Sequence, residues 1–545
     1  MPKMLKISVF QFVYIVLLSL IIFSILPINT EAANDKISIE VKSRLHENEK
    51  VHVIIILKDK KHLESLSIEN RIHSLKNHSF ESQKGLSTFL EEEKINGNAD
   101  RINPFWIVNA IALKASPQLI VNLEKHDDIE SIQLDHQFHT VENDFYTTSM
   151  VMNNPTSDLV KINATEVWKY GIYGSGINVS IIDTGINYLH PDIAGRLTRF
   201  KDLVYNLEVP YDDDGHGTHV AGTVGGNGAG GITTGVAPNV SLFGVKVFDR
   251  NGVALESRIL DGMQWSIDNN ANIISMSLAG DRRWTTSDCD LDDPAMAGAI
   301  NNAIAAGVIV VAAAGNHPSG GIPLPGCIRN ATVVGAVDGS NDLIASFSGR
   351  GAAMADHGVV APGVGITSLY YLTTGYIQIS GTSMATPHVA GTYALMLEAA
   401  KRKGMVLTPL EARSILMGTS KDLGATGIDT TYGAGRIDAF EAINGFIMGY
   451  VNGTVVDSVT QQGISGATVT TNTSITTTTN GTGYYSLHLI EGAYGLTVTS
   501  EPEYYTNSSV IVRATNDPDI MQVIEIEIKP TGNITGRIQN SAAGG

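Results

Sequence analysis

The stretch that says most about the fold is INVSIIDTGI, which runs from Ile177 to Ile186. Most of its first six residues are apolar, an acidic residue follows them, and a Thr-Gly turn comes next. A short apolar run bounded by turn residues predicts a strand that is buried on both faces of a sheet. Such a strand would bring Asp183 to the carboxyl edge of a parallel sheet, where ligand sites lie.

Apolar runs of the same kind recur through the middle of the chain and alternate with helical patterns. This alternation predicts an α/β fold in which helices cover both faces of a parallel sheet. We assign this domain to residues 164–445. The predicted strands are 178–183, 241–248, 272–278, 308–314 and 331–337, and the helices between them include 255–269 and 294–306.

A smaller α+β unit is predicted before this domain, at residues 33–140. A polar and irregular stretch at 136–163 indicates a linker, of which we assign 141–163 to the connection between the two domains. The elements predicted in the smaller unit are strands at 51–57, 105–115 and 129–134 and helices at 65–95 and 117–125, the last opened by Ser116 as its N-cap.

The N-terminus has the pattern of a secretory signal peptide. Lys3 and Lys6 precede an apolar run at 7–26, and a small-residue stretch ends the segment at Ala32. The same run would form a helix of about 30 Å, enough to cross a bilayer uncleaved. We therefore expect a secreted or cell-surface protein, with residues 1–32 either removed or kept as a membrane attachment.

The C-terminal part, from residue 446, is rich in Thr, Gly, Val and Tyr and shows little helical periodicity. Short strands are predicted at 448–456, 467–471, 483–489 and 494–499, with turn signals between them. A β-sandwich at 446–530 is the natural interpretation. Residues 531–545 repeat the small and β-branched spacing of the sandwich's start, which predicts the beginning of a second, truncated copy.

Charge and cysteine content exclude two classes of protein. The chain has 545 residues and a formal charge of −18, which argues against a nucleic-acid partner because phosphates need clustered Lys and Arg. Two cysteines are too few for a small disulfide scaffold. Export would allow Cys289 and Cys327 to form one disulfide, worth about 4 kcal/mol in the chain-entropy model; two separate buried thiols are the alternative.

Three segments place a reactive side chain at the end of a strand, in a glycine-rich motif or at the start of a helix. Asp183 ends its strand, His216 lies in GHGTHVAG, and Ser383 lies in SGTSMATPHVAG at the start of a helix. Carboxylate, imidazole and hydroxyl together form the relay that activates a serine nucleophile. Asn316, in AAAGN after a buried strand, can donate to an oxyanion together with the Ser383 amide.

These motifs, with SMSL at 275–278 and the order Asp, His, Ser, resemble a subtilisin-type serine protease, or subtilase, over residues 164–444. The resemblance implies that Asp183, His216 and Ser383 form the catalytic triad and that Asn316 lines the oxyanion hole. It also implies that an extended peptide pairs with backbone of the substrate-binding residues, which are Ser277, Leu278, Ala279, Gly280, Ala314 and Gly315. Ala279 stands where the family generally has glycine.

The flanking domains also resemble known modules. Residues 51–135 are similar to the inhibitor-type propeptide of subtilases, which implies a ferredoxin-like fold and self-cleavage between His136 and Asn163. Residues 446–530 resemble a carboxypeptidase-regulatory-like β-sandwich. The partners expected are a peptide or protein substrate and the chain's own propeptide as an intramolecular inhibitor.

The resemblance implies no cofactor for the chemistry and raises the question of a structural calcium ion. Asp192 matches one calcium ligand of the family and Asn227 could supply another, but Ala229 stands at a usual asparagine position. The function expected from the sequence is a secreted serine endopeptidase made as a self-processing zymogen. The alternative is an inert surface binding or adhesion protein on a subtilase scaffold, which would be marked by a missing triad residue.

Overall fold

A computed structural model describes residues 35–47, 49–58, 68–140, 154–501, 504, 506–515, 521–527 and 529. The predicted signal peptide or anchor and the predicted start of a second repeat lie outside these residues. The chain forms two compact units. One contains residues up to Gln137 together with 255–264 and 291–306, and the other contains the rest.

The first unit is built on a four-stranded antiparallel sheet of order β2-β3-β1-β4. Strands 51–57 and 129–134 and the helix opened by Ser116 were predicted from the sequence and are confirmed. The elements of its N-terminal segment are α1 (Ile39–Arg44), β1 (Val51–Leu57), α2 (Ile68–Ile95), β2 (Ala99–Phe105), β3 (Ala110–Ala115), α3 (Pro117–Leu123) and β4 (Ile129–Leu134).

The prediction of a single strand over 105–115 is wrong. The run is broken by a turn at 106–109 that separates β2 from β3, and Asn109 in this turn has a φ of 41°. Asparagine adopts this left-handed conformation more readily than most residues, so an apolar run can reverse there.

The second unit contains a seven-stranded sheet of order β16-β15-β13-β10-β6-β8-β7, in which every pair is parallel. The α/β fold with a large parallel sheet is therefore confirmed. The elements from residue 137 to 447 are β5 (Gln137–Thr140), α4 (Ser157–Lys161), α5 (Ala164–Trp168), β6 (Asn178–Asp183), β7 (Leu197–Asp202), α6 (His216–Gly225), β8 (Ser241–Lys246), β9 (Val253–Leu255), α7 (Glu256–Asp268), β10 (Ile273–Met276), β11 (Leu278–Gly280), β12 (Arg283–Trp284), α8 (Pro294–Ala305), β13 (Ile309–Ala313), β14 (Ile322–Pro323), β15 (Thr332–Val337), α9 (Ala352–His357), β16 (Gly358–Pro362), β17 (Ile366–Leu369), β18 (Tyr376–Ile379), α10 (Thr382–Arg402), α11 (Pro409–Gly418) and α12 (Ala439–Ile447).

Two edge strands and two elements of the expected linker were not predicted. β7 and β16 extend the sheet at its two ends, and β7 carries Arg199 and Lys201, as exposed edge strands often carry charge. The stretch expected to be irregular contains β5 and α4. The strand expected over 272–278 divides into β10 and β11 at Ser277.

Helix α10 lies at the centre of the second unit and packs against β10, β13, β15 and β16. Its buried residues Val389 and Leu395 share one core with Val179 of β6 and Ile273 of β10. Because this core fixes the helix on the sheet, it also fixes the first turn of α10, where Ser383 lies.

The last part of the chain forms two further sheets, of order β22-β19-β25 and β21-β20-β23-β24. Their side chains share one core, which includes Val451 and Leu487 from the first sheet and Val469 and Leu496 from the second. The strands are β19 (Met448–Asp457), β20 (Thr468–Thr471), β21 (Thr476–Thr478), β22 (Tyr484–Ile490), β23 (Gly492–Thr499), β24 (Asn507–Ala514) and β25 (Met521–Ile526).

The expected disulfide is confirmed. Cys289 and Cys327 are bonded with a Cα–Cα distance of 5.5 Å, and the bond closes a loop of 38 residues. Within the described part of the chain, no helix has an apolar stretch of the length needed to cross a bilayer.

Candidate active site

Asp183 occupies the carboxyl end of β6 and is fully buried. Its Oδ1 accepts hydrogen bonds from the backbone N–H of Thr184 at 2.7 Å and from Nδ1 of His216 at 2.8 Å. No partner for its Oδ2 is found among the described residues. The strand therefore presents the carboxylate to the imidazole, as its place after an apolar run predicted.

His216 is the first residue of α6, and glycines on both sides allow the chain to approach β6 closely. A Cβ atom at Gly217 would lie 2.2 Å from the carbonyl oxygen of Gly185, so only glycine fits there. The bond to Asp183 keeps the proton on Nδ1, which leaves Nε2 as the acceptor. Nε2 is buried and has no hydrogen-bond partner in the described part of the chain.

An acidic loop just before His216 shapes both the backbone and the charge of the site. The carboxylate of Asp212 accepts bonds from Thr184 Oγ1, from the N–H of Gly215 and from the N–H and hydroxyl of Thr218.

The pKa of His216 depends on burial and on the acidic groups around it. Burial alone would lower this pKa. The charge of Asp183 and its hydrogen bond, together with the charges of Asp214 and Asp212, raise it to about 9.

Ser383 is the second residue of α10 and is fully buried. Its hydroxyl donates to the carbonyl oxygen of Ser277 at 3.2 Å, and the Ser277 hydroxyl donates back to the carbonyl of Ser383 at 2.9 Å. The hydroxyl thus points to Ser277 in this structure and makes no hydrogen bond to His216.

The sheet register brings Ser277 and Asp183 to the same level. Ser275 of β10 pairs with Ile181 of β6 in parallel, and Ser277 and Asp183 each lie two residues further along their chains. Neighbouring strands are about 4.8 Å apart. Because the Ser383 hydroxyl bonds to Ser277 and the His216 imidazole bonds to Asp183, all three side chains lie at the carboxyl edge of these two neighbouring strands.

Asn316 follows β13 and is held by the residue that precedes Ser383. Its Oδ1 accepts bonds from the N–H and the hydroxyl of Thr382, each at 2.9 Å. Since the oxygen is used as an acceptor, the amide nitrogen is the end that can donate at this edge. An acceptor imidazole, a hydroxyl and an amide donor are the groups that acyl transfer requires.

The predicted substrate-binding backbone divides into two parts. Leu278–Gly280 forms β11, which pairs with residues 138–140 of β5. The Ala314 N–H donates to the carbonyl oxygen of Val334, and the Gly315 carbonyl accepts from the N–H of Gly349. Both residues therefore make backbone hydrogen bonds within the fold. Ala279 pairs with His139, which shows that its methyl group is compatible with a neighbouring strand.

The predicted calcium ligands do not fit a cation. Oδ1 of Asp192 accepts from the N–H of Gly230 at 2.5 Å, and Oδ2 accepts from the hydroxyl of Tyr376 at 2.8 Å. Oδ1 of Asn227 accepts from the N–H of Ala229 at 3.0 Å. Hydrogen-bond donors thus point at the oxygens that calcium would need, and no group of three or more His, Cys, Asp or Glu side chains in the described ranges could hold a metal ion.

Three contributors to the site were not assigned from the sequence. Thr382 orients Asn316, the Ser277 side chain fixes the backbone of Ser383, and Asp214 adds charge near His216. The position of Asp214 in an acidic triplet directly before a glycine-flanked histidine was the available signal for its charge.

Comparison with known proteins agrees with this geometry. A model of the subtilase family matches residues 174–435, which include all four of the residues Asp183, His216, Asn316 and Ser383. An alkaline protease of Alkalihalobacillus alcalophilus is 33% identical over 372 residues, which are 66% of this chain and 89% of that protein.

Two further relatives align over a shorter part of the chain. The serine protease AprX of Bacillus subtilis (strain 168) is 38% identical over 318 residues, covering 52% of this chain and 70% of the relative. Subtilisin Savinase of Lederbergia lenta is 37% identical over 280 residues, covering 51% of this chain and 95% of the relative.

Proposed function

Because this chain belongs to the subtilase family and is a serine endopeptidase of the subtilisin type, we propose that it cuts peptide bonds through Asp183, His216 and Ser383. The observation that carries this assignment is the buried 2.8 Å bond between His216 and Asp183, at the sheet edge where Ser383 lies in the first turn of α10. The relatives are named as proteases, which favours the enzyme over the inert binding scaffold.

In the proposed reaction, the hydroxyl of Ser383 first turns from the Ser277 carbonyl toward Nε2 of His216. The imidazole takes the proton while the serine oxygen attacks the peptide carbonyl carbon. His216 then gives the proton to the leaving amine, and water repeats the two steps to release the acid. Asp183 holds the imidazole with its proton on Nδ1 and stabilises the positive charge that forms.

The negative charge on the carbonyl oxygen is proposed to be held by two donors. One is the amide nitrogen of Asn316, oriented through Thr382, and the other is the backbone N–H of Ser383 in the first turn of α10. First-turn amides have no partner within their helix and carry the positive end of its dipole. Donors placed in advance stabilise the tetrahedral intermediate more than the planar substrate.

We further propose that residues 33–140 are a propeptide that inhibits the protease. Contacts within the first unit support this role, because β4 and its extension hold helices α7 and α8. Asp135 accepts bonds from the N–H and hydroxyl of Ser257, at 2.8 and 2.7 Å, and so caps the first turn of α7. Gln133 donates to Asp293 at 2.9 Å and accepts from the Ala295 N–H at 3.3 Å, in the first turn of α8.

The loop between β2 and β3 adds a second set of contacts to the same helices. The N–H of Trp106 donates to Oε1 of Gln264 at 2.7 Å, and the Asn302 side chain donates to the carbonyl of Ile107 at 2.7 Å. Both helices belong to the region that the family model matches. The proposed propeptide thus binds elements of the protease domain, and its removal between His136 and Asn163 would mature the zymogen.

The proposal includes export and the two flanking assignments made from the sequence. The mature enzyme would be secreted or held at the cell surface, and its substrates would be peptides or proteins. The two C-terminal sheets with a common core support a non-catalytic β-sandwich of the carboxypeptidase-regulatory type.

The test replaces Ser383 with alanine and expresses the variant alone. Wild-type protein should release its propeptide and hydrolyse a protein substrate, whereas Ser383→Ala should fold, keep the propeptide attached and show no hydrolysis. The matched control is Ser340→Ala, which changes an exposed serine and should mature normally. Normal maturation of Ser383→Ala would refute the assignment.

A further inference from the structure

Pro387 lies inside helix α10, one helical turn after the proposed nucleophile. In a regular helix the N–H of residue 387 would donate to the carbonyl oxygen of Ser383. Proline has no N–H, and its ring crowds the carbonyl one turn before it. The helix therefore cannot give the Ser383 carbonyl its regular hydrogen bond, although Ser383 is fully buried. Because a buried carbonyl without a donor is unfavourable, a donor from outside the helix is expected.

The side chain of Ser277 supplies this donor. Its hydroxyl donates to the Ser383 carbonyl at 2.9 Å, and its own carbonyl accepts from the Ser383 hydroxyl at 3.2 Å. Ser277 is fully buried and lies between strands β10 and β11. Two hydrogen bonds thus join one residue at the end of a strand to both the backbone and the side chain of the nucleophile.

The strand that ends just before Ser277 lies in the middle of the site. In the sheet, β10 is placed between β6, which ends at Asp183, and β13, which precedes Asn316. The carbonyl, Oγ and N–H of Ser383 belong to one residue, so fixing the carbonyl also limits where the other two groups can lie. The bond from Ser277 therefore relates the nucleophile to the base on one side and to the oxyanion donor on the other.

We propose that the Ser277 hydroxyl is a positioning group that sets the backbone of the nucleophile where Pro387 has removed the helix bond, an inference that rests on the proposed function. The hydroxyl takes no part in proton transfer. Its role is also separate from the substrate binding expected of the Ser277 backbone. Because a small misplacement of a nucleophile slows the reaction itself, loss of this hydroxyl should lower kcat and leave KM nearly unchanged.

The test is a double-mutant cycle of Ser277→Ala and Pro387→Ala, with kcat and KM measured on the full chain after maturation. Ser277→Ala should lower kcat about tenfold or more. In Pro387→Ala the new N–H at position 387 can donate to the Ser383 carbonyl, so adding Ser277→Ala to that variant should lower kcat no more than about twofold. Equal losses in the two backgrounds, or a loss that appears only in KM, would overturn the proposal.

Ser275→Ala is the matched control for the serine substitution. Ser275 lies on β10, is fully buried, and its hydroxyl has no hydrogen-bond partner among the residues that the structure describes. The change removes the same atom without removing a bond, so kcat should stay at the wild-type value. A loss in Ser275→Ala as large as that in Ser277→Ala would contradict the specific role of the Ser277 hydroxyl.

Two further readouts apply if Ser277→Ala folds too poorly to mature. The double variant should then mature where the single variant does not, because position 387 supplies the missing donor, and a double variant no better than Ser277→Ala would overturn the proposal. The rate of labelling by a fluorophosphonate should follow kcat across the cycle. Wild-type enzyme that is not labelled contradicts the proposed function itself, whereas labelled wild type without coupling between the two substitutions contradicts this inference alone.

Discussion

Nδ1 of His216 lies 2.8 Å from Oδ1 of Asp183, and both groups are buried. The bond decides which nitrogen carries the proton, so Nε2 is the one that can accept from a serine. The same carboxylate also receives the N–H of Thr184, which fixes its position at the end of β6. The orientation of the imidazole is thus set at the carboxyl end of a buried strand of the sheet.

The first prediction concerns this bond. In Asp183→Asn the amide can donate to Nδ1, which favours the tautomer with the proton on Nε2, so kcat should fall about 10⁴-fold with little change in the melting temperature. Steady-state hydrolysis of a peptide substrate measures the effect. The control is Asp422→Asn, which alters an exposed carboxylate and should keep wild-type kcat. A loss of less than about tenfold in Asp183→Asn would show that the carboxylate does not set the tautomer.

The second prediction is an alkaline rise in activity. Asp183 first, then Asp214 and Asp212, outweigh the effect of burial and raise the pKa of His216 to about 9. A base must be neutral to accept a proton, so kcat/KM should increase as pH rises through about 9. Removing one negative charge in Asp214→Asn should move the midpoint of the profile to lower pH. A midpoint that stays in place in this variant would contradict the electrostatic explanation.

The third prediction concerns the oxyanion donor. Asn316→Ala removes the amide, and kcat should fall about 100- to 1000-fold, or about 3 to 4 kcal/mol, while KM changes little. Thr382→Val tests the positioning role, since it removes the hydroxyl but keeps the backbone N–H bonded to Asn316. Its kcat should fall by less than that of Asn316→Ala. A rise in KM with kcat unchanged in Asn316→Ala would indicate a role in substrate binding instead.

Buried strands and the residues at their ends were predictable because each strand is an apolar run and turn residues follow it directly. The run before Asp183 is apolar and ends in a turn, and the structure gives a strand over Asn178–Asp183, as expected. The motif around Ser383 placed this residue at the start of a helix, which the structure also shows. The disulfide between Cys289 and Cys327 followed from export and is present.

Features that depend on pairing with distant segments were not predictable. QFHT at 137–140 is short and half polar, and it becomes β5 only because β9 and β11 lie on either side. The bonds from Gly230 and Tyr376 to Asp192 join segments far apart in the chain, so the sequence suggested a metal ligand where the fold supplies hydrogen bonds. The hydroxyl direction of Ser383 likewise depends on packing against Ser277.

The fourth prediction concerns three buried acids in the first unit: Asp135, Glu256 and Asp293. Burial, followed by the charges of Asp293 and Asp135, raises the pKa of Glu256 well above its usual value. Burial is also the largest influence on Asp135, whose pKa rises to about 6 despite its bonds to Ser257 and the nearby charge of Arg258. No partner for Oε1 of Glu256 or Oδ2 of Asp293 is found among the residues described.

Because the pKa values of Asp135 and Glu256 are raised, the first unit should be more stable at acid pH than at alkaline pH. An acid whose pKa is higher in the folded state stabilises the fold fully below its ordinary value, 3.8 for Asp135, and this contribution is lost as pH rises through about 6. The contacts of β4 with α7 and α8 should therefore weaken as the pH rises from acid to alkaline values. Hydrogen exchange of Ser383→Ala, corrected for intrinsic rates, should show more protection in α8 at about pH 5 than at about pH 8.

Glu256→Gln provides the control for this prediction. It keeps the size of the side chain and removes its charge, so the pH dependence of protection in α8 should become smaller. Protection that is independent of pH in the Ser383→Ala background, or unchanged by Glu256→Gln, would contradict the role of the acids.

The central claim is that Ser383 is the nucleophile of a site assembled with His216 and Asp183. Its most direct test is to treat matured enzyme with a fluorophosphonate and locate the label by peptide mass spectrometry. The account predicts one labelled residue, Ser383, with labelling slowed strongly in a matured sample at a pH well below 9, where His216 is protonated. A label on another residue, or an active enzyme that remains unlabelled, would contradict it.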